Sequence, residues 1–114
     1  MIVLSWSVRG LNSGPRQNVV HELIRRQCLD VIFLQETKLS IKKMQGLTPK
    51  LWRNGESQSI GAHGASGGLV CLWNPKRLQP LWWISSRSSM SIMATSLEKG
   101  EVILFSNFYA PTDF

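Results

Sequence analysis

Apolar residues along the chain come in short bursts separated by turn-forming residues. Residues 2–8 form an apolar, β-branched run that stops at Arg9-Gly10, which predicts a first strand leaving into a turn. Val19, Val20, Leu23, Ile24 and Cys28 then recur at three- and four-residue spacing, with Glu22 and Arg26 paired on the outer side. That spacing predicts a helix, with Ser13 as its cap and Pro15 in its first turn. Asp30 leads into a second strand over 31–34. Strand, short helix and strand fit a βαβ unit whose two strands end at the same edge, bringing the neighbourhood of Ser7 close to Glu36. Ligands of α/β sheets bind at that edge.

After Lys43 the pattern loosens. Gly46, Pro49, Asn54, Gly55, Gly61, Gly64, Gly67 and Gly68 mark an irregular region in which one short strand is expected over 51–53. Beyond it the chain reads as β-rich, with an apolar run over 68–73 stopped by Asn74-Pro75 and strands over 81–85 and 91–97. A Lys99-Gly100 turn precedes a last strand over 102–109. These four segments are expected to form an antiparallel meander. No repeat, low-complexity tract or linker divides the sequence, so residues 1–114 are expected to be one domain.

At 114 residues there is room for one core, and a hydrophobic share of 43% with five Trp argues against a disordered chain. No apolar run approaches the roughly 20 residues of a membrane span. Met1-Ile2-Val3-Leu4-Ser5 lacks the basic start and long apolar stretch of a signal peptide, so an intracellular location is the default expectation; nothing reads as a clear nuclear signal. Cys28 and Cys71 lie in apolar segments without CxxC spacing and are expected to be buried thiols. The formal net charge of +6 suits a polyanionic partner, and Lys38, Lys42, Lys43, Lys50 and Arg53 follow one another with no acid between them. That run alone fits a solvated loop as well as a phosphate-binding one.

The most specific chemistry lies at the end of the second strand. Leu34-Gln35-Glu36-Thr37-Lys38-Leu39 puts one carboxylate where a strand opens into a loop, a natural place for a hard divalent cation. Read with Leu4-Ser5-Trp6-Ser7-Val8-Arg9-Gly10-Leu11-Asn12 and Asn107-Phe108-Tyr109-Ala110-Pro111, it resembles the endonuclease/exonuclease/phosphatase superfamily of Mg²⁺-dependent phosphodiester hydrolases. Within that superfamily the likeness is greatest to the endonuclease domain of plant non-LTR (LINE-type) retrotransposons. Gly67-Gly68-Leu69-Val70-Cys71-Leu72-Trp73 resembles the glycine-led core strand of those enzymes. The resemblance runs end to end along the chain but covers only about the first half of the family's domain. It implies a partial four-layer α/β sandwich of the DNase I-like type: an α/β (α+β) chain with one β-sheet half and one main helix. Because the family packs two such halves face to face, the inner face of the half present is expected to lie bare.

The resemblance implies that Glu36 is the metal ligand, for Mg²⁺ or Mn²⁺. Ser7 stands where the family has an Asn whose amide helps hold metal and phosphate. A hydroxyl on a shorter stem presents no carbonyl acceptor, which implies a weakened site. Tyr109 is implied near the scissile phosphate, where its hydroxyl can donate to developing charge, and Asn107 of the same segment is the second catalytic candidate. Arg9, Lys38, Lys42 and Lys43 are the expected contacts to a DNA phosphate backbone. Thr112 replaces a further family Asn. Past the Phe114 position the family continues with GDFN-like and SDH-like segments, and loss of a general base alone costs about 10²–10⁴-fold in rate. The expectation is therefore a DNA-nicking endonuclease fragment, inactive alone. The alternative is a non-catalytic remnant that binds nucleic acid or pairs with a chain supplying the C-terminal half.

Overall fold

The computed structural model describes residues 1–63 and 66–108. Along them run β1 (Val3–Ser7), α1 (Gly14–Arg26), β2 (Val31–Gln35), α2 (Ile41–Leu51), β3 (Glu56–His63), β4 (Ser66–Trp73), β5 (Leu78–Ser85), β6 (Ser89–Ser96) and β7 (Val102–Phe108). The mixed α/β class expected from the sequence holds. The expected single sheet half with one main helix does not: the strands divide into a four-stranded sheet, β1-β2-β4-β3, and a three-stranded sheet, β5-β6-β7, and there are two helices.

The βαβ unit forms as expected. Ser13 caps α1 by accepting from the Arg16 amide, Pro15 lies in its first turn, and Val20 and Ile24 are its buried residues. Glu22 pairs with both Arg25 and Arg26 on the solvent side, and the Arg25 hydrogen bond holds its carboxyl below the usual carboxylate range. β1 and β2 run parallel in the register Val3↔Val31 to Ser7↔Gln35, so both end together.

The 68–73 run departs from the expected meander and enters the first sheet, antiparallel to both β2 and β3. Its composition explains why. Val70 and Leu72 pack toward the helices while Leu69, Cys71 and Trp73 pack toward the second sheet, so β4 is apolar on both faces and fits only a doubly covered, central position. The meander is left to β5, β6 and β7.

The strand expected over 51–53 is replaced by the end of α2. Gly46 and Pro49 hid that helix, yet Met44, Thr48 and Leu51 bury one face of it at helical spacing. Ser40 caps it by accepting from the Lys43 amide, and Pro49 sits two residues before the helix ends, so the bond its missing N–H removes and the kink it brings fall where the helix stops. β3 was likewise obscured by glycines. At Gly61 a Cβ would lie 3.1 Å from Ile41 Cγ1, so strand and helix pass too closely for a larger residue without adjustment.

Three layers result, in the order helices, first sheet, second sheet. Ile32, Leu34, Val70 and Leu72 meet Val20, Ile24, Met44 and Leu51 on one side. Val31, Phe33, Leu69, Cys71 and Trp73 meet Leu78, Met90, Ile92 and Ala94 on the other. The inner face expected to be bare is thus covered within this chain, with the Trp73 and Trp83 rings 5.2 Å apart and Phe33 and Phe105 6.3 Å apart. Each fully buried aliphatic side chain contributes about 1.5–3 kcal/mol. The bare face is instead the outside of the second sheet, where Trp82, Ile84, Val102, Leu104 and Phe108 are exposed. A bulge between Pro80 and Trp82 shifts the phase of β5, so that Leu78 and Trp83, an odd number apart, both point inward and Trp82 points out.

Of the two thiols expected to be buried, only Cys71 is, and burial pushes its pKa far up. Cys28 is exposed, because α1 ends at the Gln27 cap and Cys28 takes a left-handed φ of 50° that turns the chain out of the helix.

Candidate active site

The common end of β1 and β2 is built mainly from backbone. The Val8 amide donates to the Gln35 carbonyl at 3.0 Å, Gly10 to Glu36 at 2.6 Å, and Leu11 to Thr37 at 3.0 Å, continuing the parallel ladder past the strands. From the other side, Thr37 donates to Gly68 at 3.2 Å and Lys38 to Gly67 at 2.9 Å. Segment 36–38 is therefore bracketed by the β1–α1 loop and the start of β4. Arg9, Glu36 and Lys38 take left-handed φ values of 53°, 55° and 58°. Such a conformation costs a side-chain-bearing residue about 1–2 kcal/mol, and it persists only where neighbours fix it. Gly68, itself at φ 94°, is part of that fixing: a Cβ there would stand 2.3 Å from Thr37 Oγ1, and Thr37 is buried.

This bracket delivers Glu36 to Ser7, whose Oγ donates to Glu36 Oε2 at 2.8 Å. The two residues paired by the βαβ argument are brought together. Among the described residues no group of three or more His, Cys, Asp or Glu converges. Asn107, on β7, is buried and sits across from the same edge, where it accepts from Gln35 and donates to Ser5. Tyr109 and Thr112 lie outside the described residues.

The basic candidates divide by position. Arg9 and Lys38 are exposed on the two loops that frame Glu36. Lys42 and Lys43 are exposed in the first turn of α2, which begins five residues after Glu36. Lys50 and Arg53 stand at the far end of that helix, about 10 Å or more away at 1.5 Å of rise per residue. The continuous basic run of the sequence is thus split, and its first part alone belongs to this edge.

Four residues of the site escaped the sequence reading. Arg16 donates through Nη1 to the carbonyls of Val8 and Arg9, tying α1 to the loop. It lines, with Ser7, Arg9 and Pro15, an open cleft of about 630 Å³ beside β1. Ser5 and Gln35 bond to each other and to Asn107. Gly68 was marked only as part of an irregular glycine-rich region and of a glycine-led strand. The alternation of Ser5 and Ser7 on one face of β1, opposite Leu4 and Trp6 of the apolar face, was the available signal for Ser5.

No protein-family model and no curated protein sequence matches the chain. Solved structures do. A 3'-5' exonuclease, NExo, from Neisseria meningitidis superposes with a TM-score of 0.72 at 20% identity, over 96% of this chain and 41% of its own. The AP endonuclease LMAP from Leishmania major gives 0.71 at 15% identity, over 94% of this chain and 39% of its own. D. rerio TDP2, complexed with single-strand DNA product, gives 0.65 at 20% identity, over 97% and 47%. The fold is DNase I-like. The present chain spans less than half the length of each of these proteins, and the likeness at this identity is one of fold. None of the helices is long and apolar enough to cross a membrane, among the described residues.

Proposed function

We propose that this chain carries the metal-holding edge of a Mg²⁺-dependent phosphodiester hydrolase of the retrotransposon DNA-nicking type. The observation that carries the reading is the Ser7–Glu36 pair at the C-terminal end of two parallel strands, held by left-handed backbone in a fold shared with an AP endonuclease and an exonuclease. Mg²⁺ is commonly held by one or two carboxylates and completed by waters and substrate phosphate oxygens. One carboxylate with a neutral hydroxyl beside it fits that need. Glu36 would hold the ion with Ser7 next to it, and the ion would supply charge neutralisation at the phosphate oxygens.

The chain's own residues supply the electrostatic field around that carboxylate. Arg9 and Lys38 flank the carboxylate and attract a phosphate backbone, and Lys42 and Lys43 extend that field. A cation in a helix's first turn opposes the macrodipole by a few tenths of a kcal/mol, which a bound polyanion offsets. Asn107 lies across the same edge, and Tyr109, two residues on, is the candidate donor to the scissile phosphate. In the family that the motifs resemble, the groups that orient the attacking water and protonate the leaving group belong to later segments, which are separate in role from the metal-holding edge described here.

Amide NMR of the chain with and without Mg²⁺ tests this. Shifts confined to Ser7, Glu36 and their neighbours, abolished by Glu36→Gln, are expected; their absence at millimolar Mg²⁺ overturns the metal reading. The non-catalytic alternative is favoured by the exposed lysines. It predicts steeply salt-dependent DNA binding that survives Glu36→Ala and Mg²⁺ removal.

A further inference from the structure

Three side chains close a triangle of hydrogen bonds between the two sheets. Gln35 Nε2 donates to Ser5 Oγ at 2.8 Å and to Asn107 Oδ1 at 2.7 Å, and Asn107 Nδ2 donates to Ser5 Oγ at 3.0 Å. Ser5 and Asn107 are 102 positions apart in sequence, and they join β1, at one edge of the first sheet, to β7, at one edge of the second. Asn107 is only 6% exposed, so leaving its amide unpaired would cost about 1–3 kcal/mol.

The triangle sits where apolar packing gives out. Along β2 and β4 the sheets are joined by Phe33, Cys71, Trp73 and their partners, but the inner face of β1 receives no such cover, and Val3 is 41% exposed. A second polar tie stands at the opposite end of β2, where Asp30 accepts from the Ile2 amide at 2.8 Å and pairs with Arg77 at 3.0 Å. Each end of the sandwich thus has its own tie, and only one of them adjoins Glu36. Ser5 shares a face of β1 with Ser7, and Gln35 precedes Glu36 in the chain.

We propose that Ser5, Gln35 and Asn107 are positioning residues that clamp β7 to the ends of β1 and β2 and thereby hold Ser7 Oγ against the Glu36 carboxylate. This rests on the reading of Ser7 and Glu36 as the reactive edge. It moves Asn107 from a contact with substrate to a group that acts through its neighbours, since both ends of its amide are engaged in the triangle.

The test uses the full chain and needs no activity. In metal-free buffer at one fixed pH the Ser7 amide signal reports its side chain's hydrogen bond to Glu36, and Glu36→Gln should shift it. In Ser5→Ala and Gln35→Met backgrounds that Ser7 response to Glu36→Gln should largely vanish with a dispersed spectrum retained. Ser5→Thr, which restores a hydroxyl, should recover it. Arg77→Gln cuts the tie at the other end and should lower the urea midpoint while leaving the Ser7 response intact. In a Mg²⁺ titration Ser5→Ala should raise the midpoint by about 10-fold, the scale of losing a group that orients a ligand. An unchanged Ser7 response in Ser5→Ala, or an equal loss in Arg77→Gln, overturns the proposal and makes the triangle merely structural. A response that disappears in Ser5→Ala while wild type shows no Mg²⁺ effect keeps the clamp and removes the metal reading.

Discussion

The two sheets of this chain meet opposite circumstances. The first is covered on one face by α1 and α2 and on the other by the second sheet, and β2 is buried over its first four residues. The second is covered on its inner face alone; β6 alternates between buried and half-buried positions, and β7 alternates between exposed and half-buried ones before Asn107. Its outer side carries the cross-strand row Trp82, Met93 and Leu104, a composition suited to a covering layer rather than to water. The lesson is that stability and chemistry are placed unevenly: the doubly covered sheet holds the strained Glu36 loop, and the singly covered one contributes, among the described residues, the Asn107 amide beside it.

The largest expected effect is in the first sheet. Leu72 is fully buried on the helix-facing side of β4, so Leu72→Ala should cost about 2–5 kcal/mol through lost transfer energy and the cavity left behind. For a domain near 100 residues each kcal/mol lowers the melting temperature by about 4–8 °C, so thermal and urea unfolding will read it clearly. A cost under about 1 kcal/mol would mean that the double covering does not carry the fold.

An intermediate effect is expected at Gly68, where strand and site meet. Gly68→Ala places a methyl 2.3 Å from the buried Thr37 hydroxyl, and this overpacking should add about 1–3 kcal/mol of destabilisation to the left-handed penalty that its neighbour shares. The displacement should also appear in the Glu36 and Lys38 amide signals. Gly67→Ala is the control. Its φ is 82° but nothing lies within 4 Å of the added carbon, so it should cost only the left-handed penalty of about 1–2 kcal/mol and leave the Glu36 signal in place. Equal spectra for the two variants would show that the Thr37 contact does not set the loop.

How much of this was legible in the sequence follows the same division. Elements whose local signals agreed with their tertiary setting were readable: the Ser13 cap, Pro15 and the Val20–Ile24 spacing gave α1, and strand ends on one edge gave the Ser7–Glu36 meeting. α2 and β3 were not, because Gly46, Pro49 and Gly61 are breakers by local rule and are tolerated here by position, in a last turn or at a close helix–strand passage. The partner of β4 could not be read from period alone, since a run apolar on both faces names a central strand but not its neighbours. At the site, Glu36 was visible as a type of residue in a place. The triangle was not, because its members come from three strands and two sheets, and nothing local in Ser5 or Asn107 announces the other.

The smallest effect sharpens the comparison most. Leu104 is 56% exposed at the β7 end of the outer row, so Leu104→Thr removes little buried area and should change the unfolding free energy by less than about 0.5 kcal/mol. Threonine is β-branched and favoured in strands, so the strand itself is retained while apolar surface is lost. If the face is bare in solution, the substitution should reduce self-association in sedimentation velocity at high protein concentration, with the melting curve unmoved. If Leu104→Thr instead costs as much as a core truncation, and does so in proportion to protein concentration, then another copy of the chain covers the row. The two sheets would then differ in what covers them and not in how fully they are covered.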